Sequence, residues 1–191
     1  MRTRVLAVDC DNTIIEQIAA YLGFLNRYYR ANICLGDIPD RNIMGRYGIS
    51  AEELYQREEE FLRSETGRHL PLCVGVLEAL PRLRKKYDLY VVMVTARLED
   101  LRDITQEMAD RHFPPGTFEE IIFTGRRGAK SVRKTEILPA GAILIDDHPG
   151  HVRSQGGILF GDYPWQHDCG DLIRARDWFR VEEILPGLLP P

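Results

Sequence analysis

Five short apolar runs punctuate this chain: Val5 to Val8, Leu89 to Val94, Ile121 to Phe123, Ala142 to Ile145 and Ile158 to Phe160. Each is continuous rather than alternating, which is how a strand reads when both its faces are buried in a parallel sheet covered by helices. Helical patterns lie between them. Residues 71–87 place Val76, Leu80, Leu83 and Tyr87 at three-or-four spacing, with Pro81 standing against an unbroken helix, and residues 98–112 do the same with Leu101, Ile104 and Met108. The alternation predicts an α/β domain built on a doubly wound parallel sheet of about five strands, with ligands bound at the carboxyl ends of the strands.

One stretch breaks the rhythm. About eighty residues separate the first two runs, far more than a crossover helix requires. Ile14, Ile18, Leu22, Leu25 and Tyr29 form one helical stripe, and Ser50-Ala51-Glu52-Glu53 reads as a capping box opening a second helix through Leu54, Phe61 and Leu62. Residues 16–72 are therefore expected to form a small helical cap inserted after the first strand, leaving 1–15 and 73–191 as the core domain. The tail from Pro186 to Pro191 reads as a frayed terminus.

Charge and cysteine usage narrow the function classes. Lys and Arg number 25 against 29 Asp and Glu, a net charge of −4, so there is no strong nucleic-acid signal. No apolar stretch approaches the roughly 20 residues that span a bilayer, and the run behind Met1-Arg2-Thr3-Arg4 is too short for a signal peptide. The expectation is a cytoplasmic protein without membrane contact. Cys10, Cys34, Cys73 and Cys169 show neither paired nor zinc-type spacing and read as reduced thiols.

Chemistry gathers at the ends of the runs. The first ends in Asp9-Cys10-Asp11-Asn12-Thr13, the second in Thr95-Ala96-Arg97 and the fourth in Asp146-Asp147, with Lys130 and Lys134 upstream of the fourth. Four acidic side chains at one sheet edge repel one another unless a cation sits among them, and hard oxygen ligands select Mg²⁺. A lysine and a threonine hydroxyl on the same rim supply what a phosphoryl group needs, a positive charge and a hydrogen-bond donor. The set points to phosphoryl transfer.

In this order, D-x-D-x-T, Thr, Lys and paired acids resemble the haloacid dehalogenase (HAD) superfamily of phosphatases over residues 5–150. The Val-Thr-Ala-Arg and Leu-Ile-Asp-Asp wording is most similar to its 5′(3′)-deoxyribonucleotidase-like branch, as are Gly156 to Phe160 with Pro164-Trp165, and Arg176-Asp177-Trp178. The resemblance implies a Rossmann-like core with a helical cap after the first motif. It also implies that Asp9 is the nucleophile, forming an aspartyl phosphate, and that Asp11 is the general acid and base. Mg²⁺ would be held by Asp9, the Asp11 backbone carbonyl and Asp146, with Asp147 acting through a water or orienting those ligands. Thr95, the Ala96 N–H and Lys134, or alternatively Lys130, would hold the phosphoryl oxygens. The family departs from this chain at Asn12, where Gly is commoner; Asn tolerates the left-handed conformation well.

Other readings stand beside these. Arg97 meets substrate phosphate or makes a structural salt bridge. Thr95 also suits a helix N-cap, and Asp146-Asp147 before His148-Pro149-Gly150 also suits a turn. Cys10 is expected to pack in the core, and His148 and His151 to lie at the surface or behind the ligands. The cap aromatics read mainly as cap core, with Phe24 or Tyr28 nominated to stack on a nucleobase. The implied substrate is a small phosphorylated metabolite, a nucleoside monophosphate in the first instance, with a sugar phosphate or a polynucleotide 3′-phosphate as alternatives. A phosphometabolite-binding protein or a phospho-acceptor signalling domain is the non-enzyme alternative, and a homodimer is left open.

Overall fold

The computed structural model describes residues 4–40, 43, 47–126, 132–167 and 169–189. Its centre is one parallel sheet of β1 (Arg4–Val8), β2 (Leu89–Leu98), β3 (Glu120–Gly125), β4 (Ile143–Asp146), β5 (Gly157–Phe160) and β6 (Arg174–Ala175), ordered β3-β2-β1-β4-β5-β6. Five strands coincide with the apolar runs. The sixth is a correction: two residues at the edge, one exposed and one buried, carry no apolar run to announce them.

Strand parity sorts the core. Leu6, Val8, Val91, Met93, Ile143 and Ile145 enter one cluster, whereas Ala7, Val92, Val94 and Leu144 enter another on the opposite face. Both faces of the central strands are thus dry, which is why their sequences do not alternate.

Before β2 lie α1 (Ile18–Tyr29), a 3₁₀ turn at Leu35–Asp37, α2 (Ala51–Arg63), α3 (Glu65–Arg68) and α4 (Val76–Tyr87). Ser50 caps α2 by accepting the Glu53 N–H at 3.1 Å, while the Glu53 carboxylate meets Arg57, so half of the expected capping box forms. Tyr21, Leu22, Leu25, Phe61 and Leu62 join the same core cluster as Leu6 and Val8, so the inserted helices share the main core. Helix α4 starts at Val76 rather than near Pro71 because Gly75, at φ +82°, turns the chain where a Cβ would press on the Phe179 ring. Pro81 lies inside α4; the bond it forgoes is to the carbonyl of Leu77, an exposed residue.

The remaining helices are α5 (Arg102–His112), α6 (Lys134–Ile137), α7 (Pro149–Gln155) and α8 (Trp178–Ile184). Leu98 belongs to β2, so α5 begins later than its periodicity implied. Among the described residues no helix is long and apolar enough to cross a membrane. The sheet order reverses between β1 and β4, and in such sheets the crevice beyond the strand ends at that point is where ligands bind.

Candidate active site

β1 and β4 end side by side, and their acids meet. The Asp9 N–H continues the ladder to Ile145 O at 2.9 Å, after which the chain folds back: the Ile14 and Ile15 N–H groups both donate to Cys10 O. Asn12 makes the turn at φ +63°. Its Oδ1 accepts the Ile18 N–H at 2.8 Å, satisfying the start of α1, and its Nδ2 donates to Asp147 Oδ2 at 3.3 Å. Gly would hold the left-handed turn as readily, but only the Asn side chain also links it to α1 and to the second acidic loop. Cys10 points into the core, where burial pushes its thiol pKa up.

Asp9, Asp146 and Asp147 each offer a carboxylate oxygen within 4.8 Å of the others. Lys134, only 3% exposed at the start of α6, donates to Asp9 Oδ1 at 2.7 Å and to Asp146 Oδ2 at 2.6 Å. One ammonium shared by two carboxylates leaves that group net negative. The imbalance falls on Asp9: burial and the neighbouring Asp146 and Asp11 charges outweigh Lys134, raising its pKa to about 6. Burial would also raise Asp146, but Lys134 and His151 hold it well below the usual carboxylate range. Asp146 further accepts the His148 N–H at 2.8 Å, and His151 Nδ1 lies 3.1 Å from it. Buried, hard oxygen donors converging with a net negative charge fit Mg²⁺.

Asp11 is paired separately. Arg97 grips it bidentately, Nε to Oδ2 at 2.9 Å and Nη2 to Oδ1 at 2.7 Å, with both residues buried. Of the two roles open to Arg97, the structure has the ion pair. Arg97 follows the exposed Ala96 and the buried Thr95, where the pairing of β2 with β3 shifts register. Gly125 permits this crossing, since a Cβ there would lie 2.3 Å from the Ala96 carbonyl oxygen. Thr95 Oγ1 accepts the Arg97 N–H at 3.2 Å, which leaves its own hydroxyl proton to donate elsewhere. Lys130 lies outside the described residues.

Sequence reasoning passed over the groups that hold these loops. Gln166 Nε2 and Trp165 Nε1 donate to the Asp147 carbonyl at 2.7 and 3.1 Å, Tyr163 Oη to that of Asn12 at 3.0 Å, and Trp178 Nε1 to that of Thr13 at 2.8 Å. Two of these aromatics stood in the stretches that carried the family resemblance, which was the available signal. Gln17, 3% exposed beside the turn, donates to Glu58 of α2 at 3.3 Å, and neither was singled out. The two residues nominated for stacking pack against each other on α1. Phe24 packs on Tyr28, Phe61 and Tyr29, and Tyr28 lies ten residues along α1 from Ile18, about 15 Å at 1.5 Å per residue.

A family model described as 5′ nucleotidase, deoxy (pyrimidine), cytosolic type C protein matches residues 3–188. The 5′(3′)-deoxyribonucleotidase of Bacillus subtilis is 24% identical over 184 residues, covering 95% of this chain and 98% of that protein. Among solved structures, a haloacid dehalogenase-like protein of Agrobacterium tumefaciens aligns with a TM-score of 0.66 at 15% identity, covering 97% of this chain and 99% of its own. The magnesium-bound HAD-hydrolase YfnB of Bacillus subtilis aligns with a TM-score of 0.58 at 14% identity and the same coverage.

Proposed function

Since the chain belongs to the 5′ nucleotidase, deoxy (pyrimidine), cytosolic type C family, and is thus a HAD-type phosphatase, we propose that it hydrolyses a nucleoside monophosphate through an aspartyl phosphate on Asp9. The observation that carries this reading is the sharing of Lys134 between Asp9 and Asp146, with the separately held Asp11 two residues on. Asp9 Oδ attacks phosphorus, and the electrons of the breaking P–O bond pass to the leaving oxygen, which takes the proton of Asp11. Asp11, now a carboxylate, then takes a proton from the water that attacks the aspartyl phosphate, freeing Asp9 and releasing inorganic phosphate. Lys134 offsets charge on the phosphoryl oxygens, and the Thr95 hydroxyl and Ala96 N–H receive them. Asp9, Asp146 and the Asp11 carbonyl would hold Mg²⁺, with Asp147 behind them. When bound, the ion supplies positive charge where the phosphoryl group and nucleophile come together.

Residues 16–72 act as the cap that encloses the leaving group, and the bond from Gln17 to Glu58 ties its first residues to α2. Enclosure excludes water and strengthens the charge interactions, and a nucleobase supplies binding energy for closure. The four free cysteines suit a reducing cytoplasm. The partner is a small nucleotide, without membrane or polynucleotide, and a homodimer is compatible with this reading.

The test is phosphate release from a panel of nucleoside monophosphates and sugar phosphates, with and without Mg²⁺. Deoxyribonucleoside monophosphates should exceed ribose 5-phosphate in kcat/KM by at least about tenfold, the factor that stacking one base supplies. Sugar phosphates matching the nucleotides would overturn the nucleotide assignment, and turnover in excess chelator would overturn the metal.

A further inference from the structure

Arg97 is a buried cation, 4% exposed, whose contacts reach three parts of the site. Its side chain meets Asp11 through two nitrogens, a third donates to Thr105 Oγ1 at 3.0 Å, and its backbone N–H donates to Thr95 Oγ1. Thr105 is fixed in turn, donating to the Leu101 carbonyl at 2.8 Å. Around Arg97, Leu62 and Leu70 of the inserted segment close against Ile104 and Met108 of α5, leaving a void of about 10 Å³.

Two parallel N–H bonds from one edge of a guanidinium fix the plane of a carboxylate as well as its position, and this geometry fits the ionised form. The ionised form is the one Asp11 reaches after giving up its proton and the one it needs to activate water. We propose that Arg97 is the positioning residue for Asp11 as the base of the second half-reaction. It holds the carboxylate with its outer lone pairs towards the attacking water while the aspartyl phosphate waits on Asp9. The water proton passes to Asp11, the water oxygen bonds to phosphorus, and the P–O bond to Asp9 breaks with its electrons returning to the Asp9 carboxylate. The inference rests on the aspartyl-phosphate reading above.

Pre-steady-state kinetics with 2,4-dinitrophenyl phosphate and Mg²⁺ separates the half-reactions, because this leaving group departs without a proton. In R97K and R97M the first turnover should stay within about fivefold of wild type, whereas steady-state turnover should fall at least about 100-fold, the lower end of what a placed general base contributes. An initial burst of about one dinitrophenolate per active site should therefore appear, and acid quenching should trap labelled phosphate on the protein. T105V, which loosens the arginine without removing its charge, should show the same pattern with a smaller loss; it and R97K carry the test if R97M does not fold. A raised KM with unchanged kcat would instead make Arg97 a phosphate ligand. Equal loss in burst and steady state, or lowered Tm with unchanged kinetics, would make its role purely structural. Either result overturns the proposal while leaving the phosphatase reading intact. If wild type turns over but neither it nor any variant yields labelled protein, the aspartyl-phosphate reading falls and this proposal with it.

Discussion

Trp178 Nε1 donates to the carbonyl of Thr13 at 2.8 Å, joining residues 165 positions apart. The first residue of α8 thereby holds the backbone of the turn that follows Asp9, and its ring, fully buried, lies 5.9 Å from that of Phe160. W178F keeps most of the packing but leaves the Thr13 carbonyl without this donor. The expected cost is about 1–3 kcal/mol, read as a lower Tm or denaturant midpoint with little change in KM. An unchanged midpoint would show that the indole acts by volume alone.

Lys134 ties together three elements, so K134M should lose both activity and stability. Removing one partner of a buried pair leaves an uncompensated charge and costs about 3–5 kcal/mol. For a chain of this size that corresponds to a Tm lower by roughly 6–20 °C. Added Mg²⁺ should raise the Tm of the variant by more than that of wild type, because it replaces part of the missing charge. If K130M is inactive and K134M near normal, the phosphate-binding role passes to Lys130.

An amide at position 9 cannot form the proposed aspartyl phosphate, which makes D9N the direct test of it. With Mg²⁺ present, its turnover should fall by at least several orders of magnitude while its circular dichroism and oligomeric state match wild type. Retained turnover would exclude Asp9 as the nucleophile.

The pKa shifts set a pH window for the metal-free protein. Asp9 rises from 3.8 to about 6 on folding, so the folded state binds its proton more tightly than the unfolded state. That contribution is complete below about pH 4 and is lost as pH rises through 6, at most on the order of 3 kcal/mol. Asp146 is shifted the other way, so its contribution is present above about pH 4 and disappears as pH falls below it. In chelator, D9N should therefore lose less Tm than wild type between pH 5 and pH 7.5. Identical pH profiles would show that Asp9 is not the group responsible.

Asn12 combines a left-handed backbone with two side-chain bonds. N12A should cost about 2–3 kcal/mol, from the αL strain and the bonds to Ile18 and Asp147, whereas N12G should recover only the strain. Urea titrations separate the two contributions, N12A against N12G reading the strain and N12G against wild type reading the bonds, so a wild-type midpoint in N12G would mean that the bonds add nothing.

Much of the fold was legible because both faces of β1, β2 and β4 are buried, which writes each strand as an unbroken apolar run. The β6 pair Arg174–Ala175 is too short to leave such a mark. The acids were legible because they follow strands directly, so chain order alone puts them at one edge. Which cation meets which acid was not legible. Arg97 and Asp11 are 86 positions apart, Lys134 and Asp9 are 125 apart, and Arg97 suited phosphate equally well until β2 and α5 fixed its direction. The turn residue Asn12 was readable locally; the aromatic donors from Tyr163 to Trp178 depend on where the last third of the chain crosses the first.

The sheet order also has a consequence for how the protein is made. Of the described strands β1 is made before the others, yet one of its two neighbours, β4, comes only after β2 and β3, and the ammonium that meets Asp9 follows 125 residues later. At synthesis rates of about 5–20 residues per second, that interval lasts roughly 6–25 s. Throughout it β1, the strand that leads into Asp9, keeps an open edge of the kind that recruits other strands. Nascent chains arrested before Lys134 should therefore lack phosphatase activity and are the species on which chaperones should be found.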